Sequence, residues 1–71
     1  MNKEDCVYNV VWCFDGVVNA SIAFTFERAK KEYDCLVNTV KAKNIRIQNG
    51  WINFIGQFGC LISSYPIYKG N

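Results

Sequence analysis

Residues 8–24 read YNVVWCFDGVVNASIAF, in which Asp15-Gly16 separates two runs rich in β-branched and aromatic residues. Asp and Gly tolerate the positive φ angles of a tight hairpin turn, and β-branched and aromatic side chains favour strands. The stretch therefore predicts a β-hairpin near the start of the chain.

Two registers are open for this hairpin. A two-residue turn pairs Phe14 with Val17. That register puts Val18, Ala20, Ile22 and Phe24 on one face, beside Val7, Asn9, Val11 and Cys13. The other face then exposes Tyr8, Val10, Trp12 and Phe14. A three-residue loop pairs Cys13 with Val17 instead, and Tyr8, Val10 and Trp12 then join Val18, Ala20, Ile22 and Phe24 on the core face. Because full burial of a large apolar side chain contributes about 1.5–3 kcal/mol, we favour the three-residue loop.

A second pair of turn residues, Asn49-Gly50, predicts a second hairpin. A two-residue turn there pairs Gln48 with Trp51 and Ile47 with Ile52. The face predicted for the core holds Ile45, Ile47, Ile52 and Phe54, and the outer face holds Arg46, Gln48, Trp51 and Asn53.

The segment between the hairpins has helical periodicity. Thr25 is placed to cap a helix that starts at Phe26, and Glu27 in the first turn suits the helix dipole. An apolar stripe follows at helical spacing: Phe26, Ala29, Tyr33, Leu36, Val37 and Val40. Lys41 and Lys43 favour the C-terminal end, with Asn44 as the residue beyond it.

The last segment, 56–68, predicts a loop and one more strand. Pro66 has no N–H for a sheet ladder, so this strand is expected at an edge. The predicted fold is α+β: an antiparallel sheet of four to five strands with one amphipathic helix on one face, in the order ββαββ. We expect one domain over residues 1–71, with a polar N-terminal lead at 1–5, and a sheet face that the helix leaves open.

Composition limits the classes of function. The chain has 71 residues with 51% hydrophobic and 20% charged, which is globular rather than disordered. The formal net charge of +2 is too small to argue for a nucleic-acid partner. Neither a signal peptide nor a transmembrane run is present, so we expect a cytoplasmic protein without membrane association.

The residues that carry catalysis or bind metals are sparse. There is no His, and the four cysteines, at positions 6, 13, 35 and 60, lack the close spacing of zinc ligands. Without a secretion signal we expect reduced, buried thiols. No acid–base pair or phosphate-binding loop is recognisable. The chain is therefore expected not to be an enzyme and to need no cofactor or metal.

Binding features remain. Trp, Tyr and Arg are enriched among interface hot spots, and an edge strand invites strand addition. The candidate partner-binding residues are Arg46, Gln48, Trp51, Asn53, Tyr65 and Tyr68. Alternatively, Trp51 simply lies over the hairpin and the two tyrosines cover the end of the core.

The size, the Asn-, Ile- and Lys-rich composition and the ββαββ layout, with Phe14-Asp15-Gly16, the 26–40 stripe and Asn49-Gly50, resemble small phage-encoded accessory proteins, among them anti-CRISPR proteins. The resemblance implies an inhibitor that blocks a host defence complex, such as a CRISPR–Cas effector, in the bacterial cytoplasm. The leading hypothesis is thus a non-enzymatic protein-binding module. The alternatives are a nucleic-acid binder that uses the basic helix face or the sheet, and a homodimer formed through the open sheet face.

Overall fold

A computed structural model describes residues 7–43 and 46–68. The elements are β1 (Tyr8–Phe14), β2 (Val17–Ala23), α1 (Phe26–Lys41), β3 (Gly50–Ile55) and β4 (Leu61–Ile67), with a short 3₁₀ turn at Gln57–Gly59 before β4. The strands form one antiparallel sheet in the order β2-β1-β3-β4. The predicted α+β fold and its ββαββ order are confirmed.

The helix starts where its sequence predicts. The side chain of Thr25, the N-cap residue, accepts a hydrogen bond of 3.2 Å from the backbone N–H of Arg28. At the other end Ala42 is the C-cap, and Lys43 takes a left-handed φ of 59°. The predicted next residue, Asn44, lies outside the described residues.

The core lies between α1 and one side of the sheet. Phe54, Ile52 and Val10 are its largest fully buried side chains, and Ala29 and Val37 are the buried residues of the helix. Three rings surround that of Phe54, at centroid distances of 5.4 Å for Phe26, 5.7 Å for Tyr33 and 6.4 Å for Tyr8. The prediction that the stripe of the helix meets Ile52 and Phe54 is confirmed.

The preferred register of the first hairpin is wrong. Phe14 pairs with Val17, and Asp15 and Gly16 both have positive φ, 52° and 90°. Such a two-residue turn matches the right-handed twist of the strands it joins. The rings of β1 face the helix as expected, but in β2 it is Ala23, Ser21 and Asn19 that share their side of the sheet, while Val18, Ala20 and Ile22 face away.

A hydrogen bond compensates for the polar residue on the helix side. The hydroxyl of Ser21 donates to the carboxylate of Glu32 on α1. Apolar burial alone favours the other register, because it leaves out the polar partner that α1 offers to Ser21.

The second predicted hairpin does not form. Residues 46–49 are irregular, Ile45 is not described, and β3 starts at Gly50. The neighbours of β3 are β1, through pairs such as Trp12 with Ile52, and β4, through pairs such as Ile52 with Tyr65. As predicted, β4 is an edge strand, which accommodates Pro66.

Gly50 is required by a close approach, not by a turn. A Cβ atom on Gly50 would lie 2.0 Å from the carbonyl oxygen of Cys13 on β1. No side chain fits unless the two backbones move apart, so β3 can enter the sheet beside Phe14 only through a glycine.

Asp15 holds the chain that leads into β3. Its carboxylate oxygen Oδ1 accepts the backbone N–H groups of Gln48 and Asn49, both at 2.9 Å. Its own N–H donates to the carbonyl oxygen of Asn49 at 2.8 Å. One turn residue thus ties the first hairpin to a segment more than thirty residues later.

We expect Gly50→Ala to lower the free energy of unfolding by about 1–3 kcal/mol, because the added methyl group forces β1 and β3 apart. Urea unfolding followed by circular dichroism measures the loss. Gly59→Asn is the control, since Gly59 has positive φ but open space around it, and Asn tolerates such a φ at a cost below about 1 kcal/mol. Equal losses in both variants would contradict the close-approach argument.

We expect Asp15→Ala to lower the free energy of unfolding by about 1–2 kcal/mol, because two N–H groups lose their acceptor and Ala disfavours positive φ. Asp15→Asn keeps an acceptor oxygen and tolerates the turn, so its loss is expected below about 1 kcal/mol. The same unfolding experiment ranks the two variants, and an Asn variant as unstable as the Ala variant would sink this explanation.

Candidate functional site

The side of the sheet opposite α1, called the reverse face below, is built by strand alternation. Residues paired across neighbouring strands point to the same side, so the pairings give it three rows. The rows are Val18, Cys13, Trp51 and Pro66; then Ala20, Val11, Asn53 and Ser64; then Ile22, Asn9 and Ile55, followed on β4 by Ile62, two residues from Ser64, and by Leu61, the register partner of Ile55. A register shift beside Ile55 makes the last row irregular.

The reverse face carries no charged residue. Its polar groups are two asparagines and Ser64, whose hydroxyl donates to Oδ1 of Asn53 at 2.7 Å. Val18, Ile22 and Leu61 are 59%, 63% and 59% exposed. The only helix in the described part of the chain packs on the other side, on β1, β2 and β3. The described residues therefore leave this face open.

Trp51 lies on the inner strand β3, in the first of the three rows of the reverse face. It pairs with Cys13 on β1 and Pro66 on β4, and it is half-buried. Its position on the outer side of the sheet was predicted, but the predicted neighbours Arg46 and Gln48 are absent because the second hairpin does not form.

A second surface, called the basic groove below, lies on the helix side at the end of α1. Since α1 packs on β1, β2 and β3, a gap remains between the last turn of the helix and β4. The gap has a volume of about 550 Å³. It is lined by Lys41, Lys43, Arg46, Tyr65 and Tyr68, together with Val40, Ile47, Pro66 and Ile67.

The charged side chains of the basic groove are all positive. Among residues 7–43 and 46–68, its lining includes two lysines and one arginine and no carboxylate. The ammonium group of Lys41 lies 5.8 Å from the ring centroid of Tyr65, within the range of a cation–π contact. The opposite arrangement holds on the exposed side of the helix, where Lys30 forms an ion pair of 2.9 Å with Asp34.

Tyr33 packs against the core, with its ring centroid 5.7 Å from that of Phe54. Burial raises the pKa of its phenol above the ordinary value of 10.0, and the charges of Asp34 and Tyr65 raise the pKa further. The ring packed against Phe54 is therefore uncharged at neutral pH.

The structure divides the predicted binding residues between two surfaces. It brings Arg46, Tyr65 and Tyr68 together in the basic groove. Trp51 and Asn53 lie on the reverse face. Gln48 belongs to neither, since it follows the groove and donates its backbone N–H to Asp15.

Sequence reasoning missed two parts of these surfaces. Lys41 and Lys43 were assigned only to the end of the helix, although with Arg46 they form a basic run within six residues. Val18 and Ile22 were assigned to the core, and only the correct turn length would have placed them outside.

The thiols also differ from expectation. Cys35 and Cys60 are exposed free thiols and Cys13 is a half-buried one, so the prediction of buried thiols is wrong for these three. Cys35 lies on the solvent side of the helix, and Cys60 precedes the edge strand. Cys6 is outside the described residues. The expectations of no metal, cofactor or catalysis stay predictions; among the described residues no three His, Cys, Asp or Glu side chains form a metal-binding group.

These features define a small α+β protein with an open, uncharged sheet face and a separate basic groove. Comparison of the chain with protein-family models, curated proteins and solved structures gives no match. Within residues 7–43 and 46–68, no helix has the length and apolar character needed to cross a membrane.

Proposed function

We propose that the protein is a non-enzymatic protein-binding module whose reverse face docks on an uncharged surface of a larger protein. The observation that carries the proposal is the absence of any charged residue from three rows that cross four strands. Charged residues are depleted at the cores of protein interfaces, whereas an ordinary solvent-facing sheet surface alternates with polar and charged side chains.

The reverse face has the composition of an interface centre. Trp51 supplies a large ring on an inner strand, in the row next to that of Asn53, and Trp is a residue type typical of hot spots. Asn53 is oriented by Ser64, and its amide N–H groups can donate to a partner. Apolar side chains lie on both edge strands beside these two residues, Val18 and Ile22 on β2 and Leu61 on β4, and can exclude water from them.

The dimensions favour a larger partner over a second copy. Four strands about 4.8 Å apart and three rows about 7 Å apart cover on the order of 400 Å², about half of what each partner contributes to a standard interface. Two further exposed rings, Phe24 at 68% and Phe58 at 93%, follow β2 and precede β4, at the end of the sheet that holds Ile22 and Leu61. A larger protein can contact the flat face and this end together.

The narrower proposal is that the partner is a host bacterial defence complex, such as a CRISPR–Cas effector. It is supported by the resemblance in size, composition and layout to small phage-encoded inhibitors. Inhibition by occupying a surface needs no catalytic group in the inhibitor, which agrees with a chain that has no recognisable catalytic set.

We expect Trp51→Ala to weaken partner binding by about 2 kcal/mol or more, because it removes the largest side chain of the reverse face. Val18→Asp is expected to weaken binding as strongly, because it buries an unpaired carboxylate in the interface. A partner captured from bacterial lysate is purified, and its dissociation constant for each variant is measured by calorimetry.

Glu27→Ala, on the exposed side of the helix, is the control and should bind as the wild type does. Thermal unfolding of each variant separates lost binding from lost folding, and Val18→Asp serves if Trp51→Ala destabilises the domain. Unchanged affinity in both reverse-face variants would refute the proposal. A wild-type dimer of the 8.1 kDa chain that becomes monomeric in Val18→Asp, with no other partner, would assign the face to a second copy.

The narrower proposal has its own readout. Expression of the wild-type protein in bacteria with an active CRISPR–Cas system should restore phage plaques, and expression of Val18→Asp should not. Failure of the wild type against the systems tested, with protein binding intact, would reject those targets and leave the binding module in place.

A further inference from the structure

We infer that the basic groove binds a short segment of single-stranded nucleic acid, independently of the partner on the reverse face. The groove opens on the helix side of β4, and Pro66 is the one described residue that belongs both to its lining and to the rows of the reverse face. The inference goes beyond the proposed function because it concerns a second ligand at a second surface.

The cations of the groove come from three consecutive parts of the fold. Lys41 ends the helix, Lys43 follows in a left-handed conformation, and Arg46 lies on the chain that leads toward β3. All three are exposed, and no carboxylate from the described part of the chain lines the groove to neutralise them. Such an arrangement holds phosphates without a competing internal ion pair.

The basic side of the helix is a weaker candidate. Its lysines are interleaved with acids, and Lys30 is already paired with Asp34 at 2.9 Å. Another exposed lysine, Lys31, shares its surroundings with Glu27 and Glu32. Nucleic acid is therefore expected to bind in the groove and not on the basic face of the helix, which the sequence had suggested.

The two tyrosines favour nucleic acid over an acidic peptide. Tyr65 is half-buried with Lys41 near its ring, and Tyr68 is 64% exposed. The bases of a single strand stack on aromatic rings that lie beside cations. An acidic peptide binds through its carboxylates and makes no such stacking contact. A peptide added along β4 would also find no N–H at Pro66 on the free edge.

Fluorescence anisotropy of labelled oligonucleotides of about 12 residues, dT and rA, tests the inference with the full chain. We expect saturable binding in the range of about 1–100 µM at physiological salt. With about three phosphate contacts, the logarithm of the affinity should fall with the logarithm of salt concentration with a slope near −2. A duplex of the same length should bind more weakly, because its bases are not free to stack.

Lys43→Glu should weaken binding by about tenfold or more. Lys31→Glu makes the same change in net charge outside the groove, and its effect should stay below about threefold. Tyr68→Ala should weaken binding about 5- to 100-fold, whereas Tyr68→Phe keeps the ring and the affinity. Circular dichroism verifies that each variant is folded.

Three results would overturn the inference. The first is no binding of either oligonucleotide at about 100 µM protein. The second is an equal loss in Lys43→Glu and Lys31→Glu, which would reduce the binding to net charge. The third is displacement of the oligonucleotide by poly-glutamate at equal charge concentration with no effect of Tyr68→Ala, which would assign the groove to an acidic peptide.

Discussion

The pairing of β1 with β3 is the constraint on which the rest of the structure depends. It joins strands that the whole helix separates in the chain, and it places Val10 opposite Phe54 and Trp12 opposite Ile52, under the apolar stripe of α1. Closing such a long loop costs conformational entropy before the core contacts offset it. Two features hold this pairing: the close approach of Gly50, which has no side chain, to Cys13, and the hydrogen bonds that the carboxylate of Asp15 accepts from the chain before β3.

The parts of the fold that could be predicted are those with local causes. The cap at Thr25 and the spacing from Phe26 to Val40 depend on neighbours within four residues, so the helix could be placed from the sequence. The alternation around Ile52 and Phe54 likewise marked the core side of β3. The strand that pairs with β3 could not be predicted in this way. Asn49-Gly50 is a typical hairpin-turn sequence, but Gly50 is required here because its backbone lies against Cys13, on a strand that is distant in the sequence.

The candidate surfaces were predictable to different extents for the same reason. Arg46, Tyr65 and Tyr68 were chosen by residue type, and the gap between α1 and β4 brings them together. Which residues lie on the reverse face depends instead on whether the first turn has two residues or three. A shift of one position moves Val18 and Ile22 from one side of the sheet to the other, and apolar burial alone favoured the wrong side. The hydrogen bond between Ser21 on β2 and Glu32 on α1 favours the observed register, and counting buried apolar side chains leaves it out.

The outward orientation of Val18 and Ile22 has a thermodynamic consequence. Full burial of each such side chain contributes about 1.5–3 kcal/mol, and a domain of this size has only about 3–5 kcal/mol of stability. Both side chains are about three-fifths exposed in the isolated chain, at 59% and 63%, so most of this contribution is not realised by folding. A partner that covers the reverse face gains this free energy by burying the two side chains. On the same face, Ser64 and Asn53 already form a hydrogen bond with each other. Docking thus buries apolar surface that folding leaves exposed, and binding stabilises the folded state through linkage.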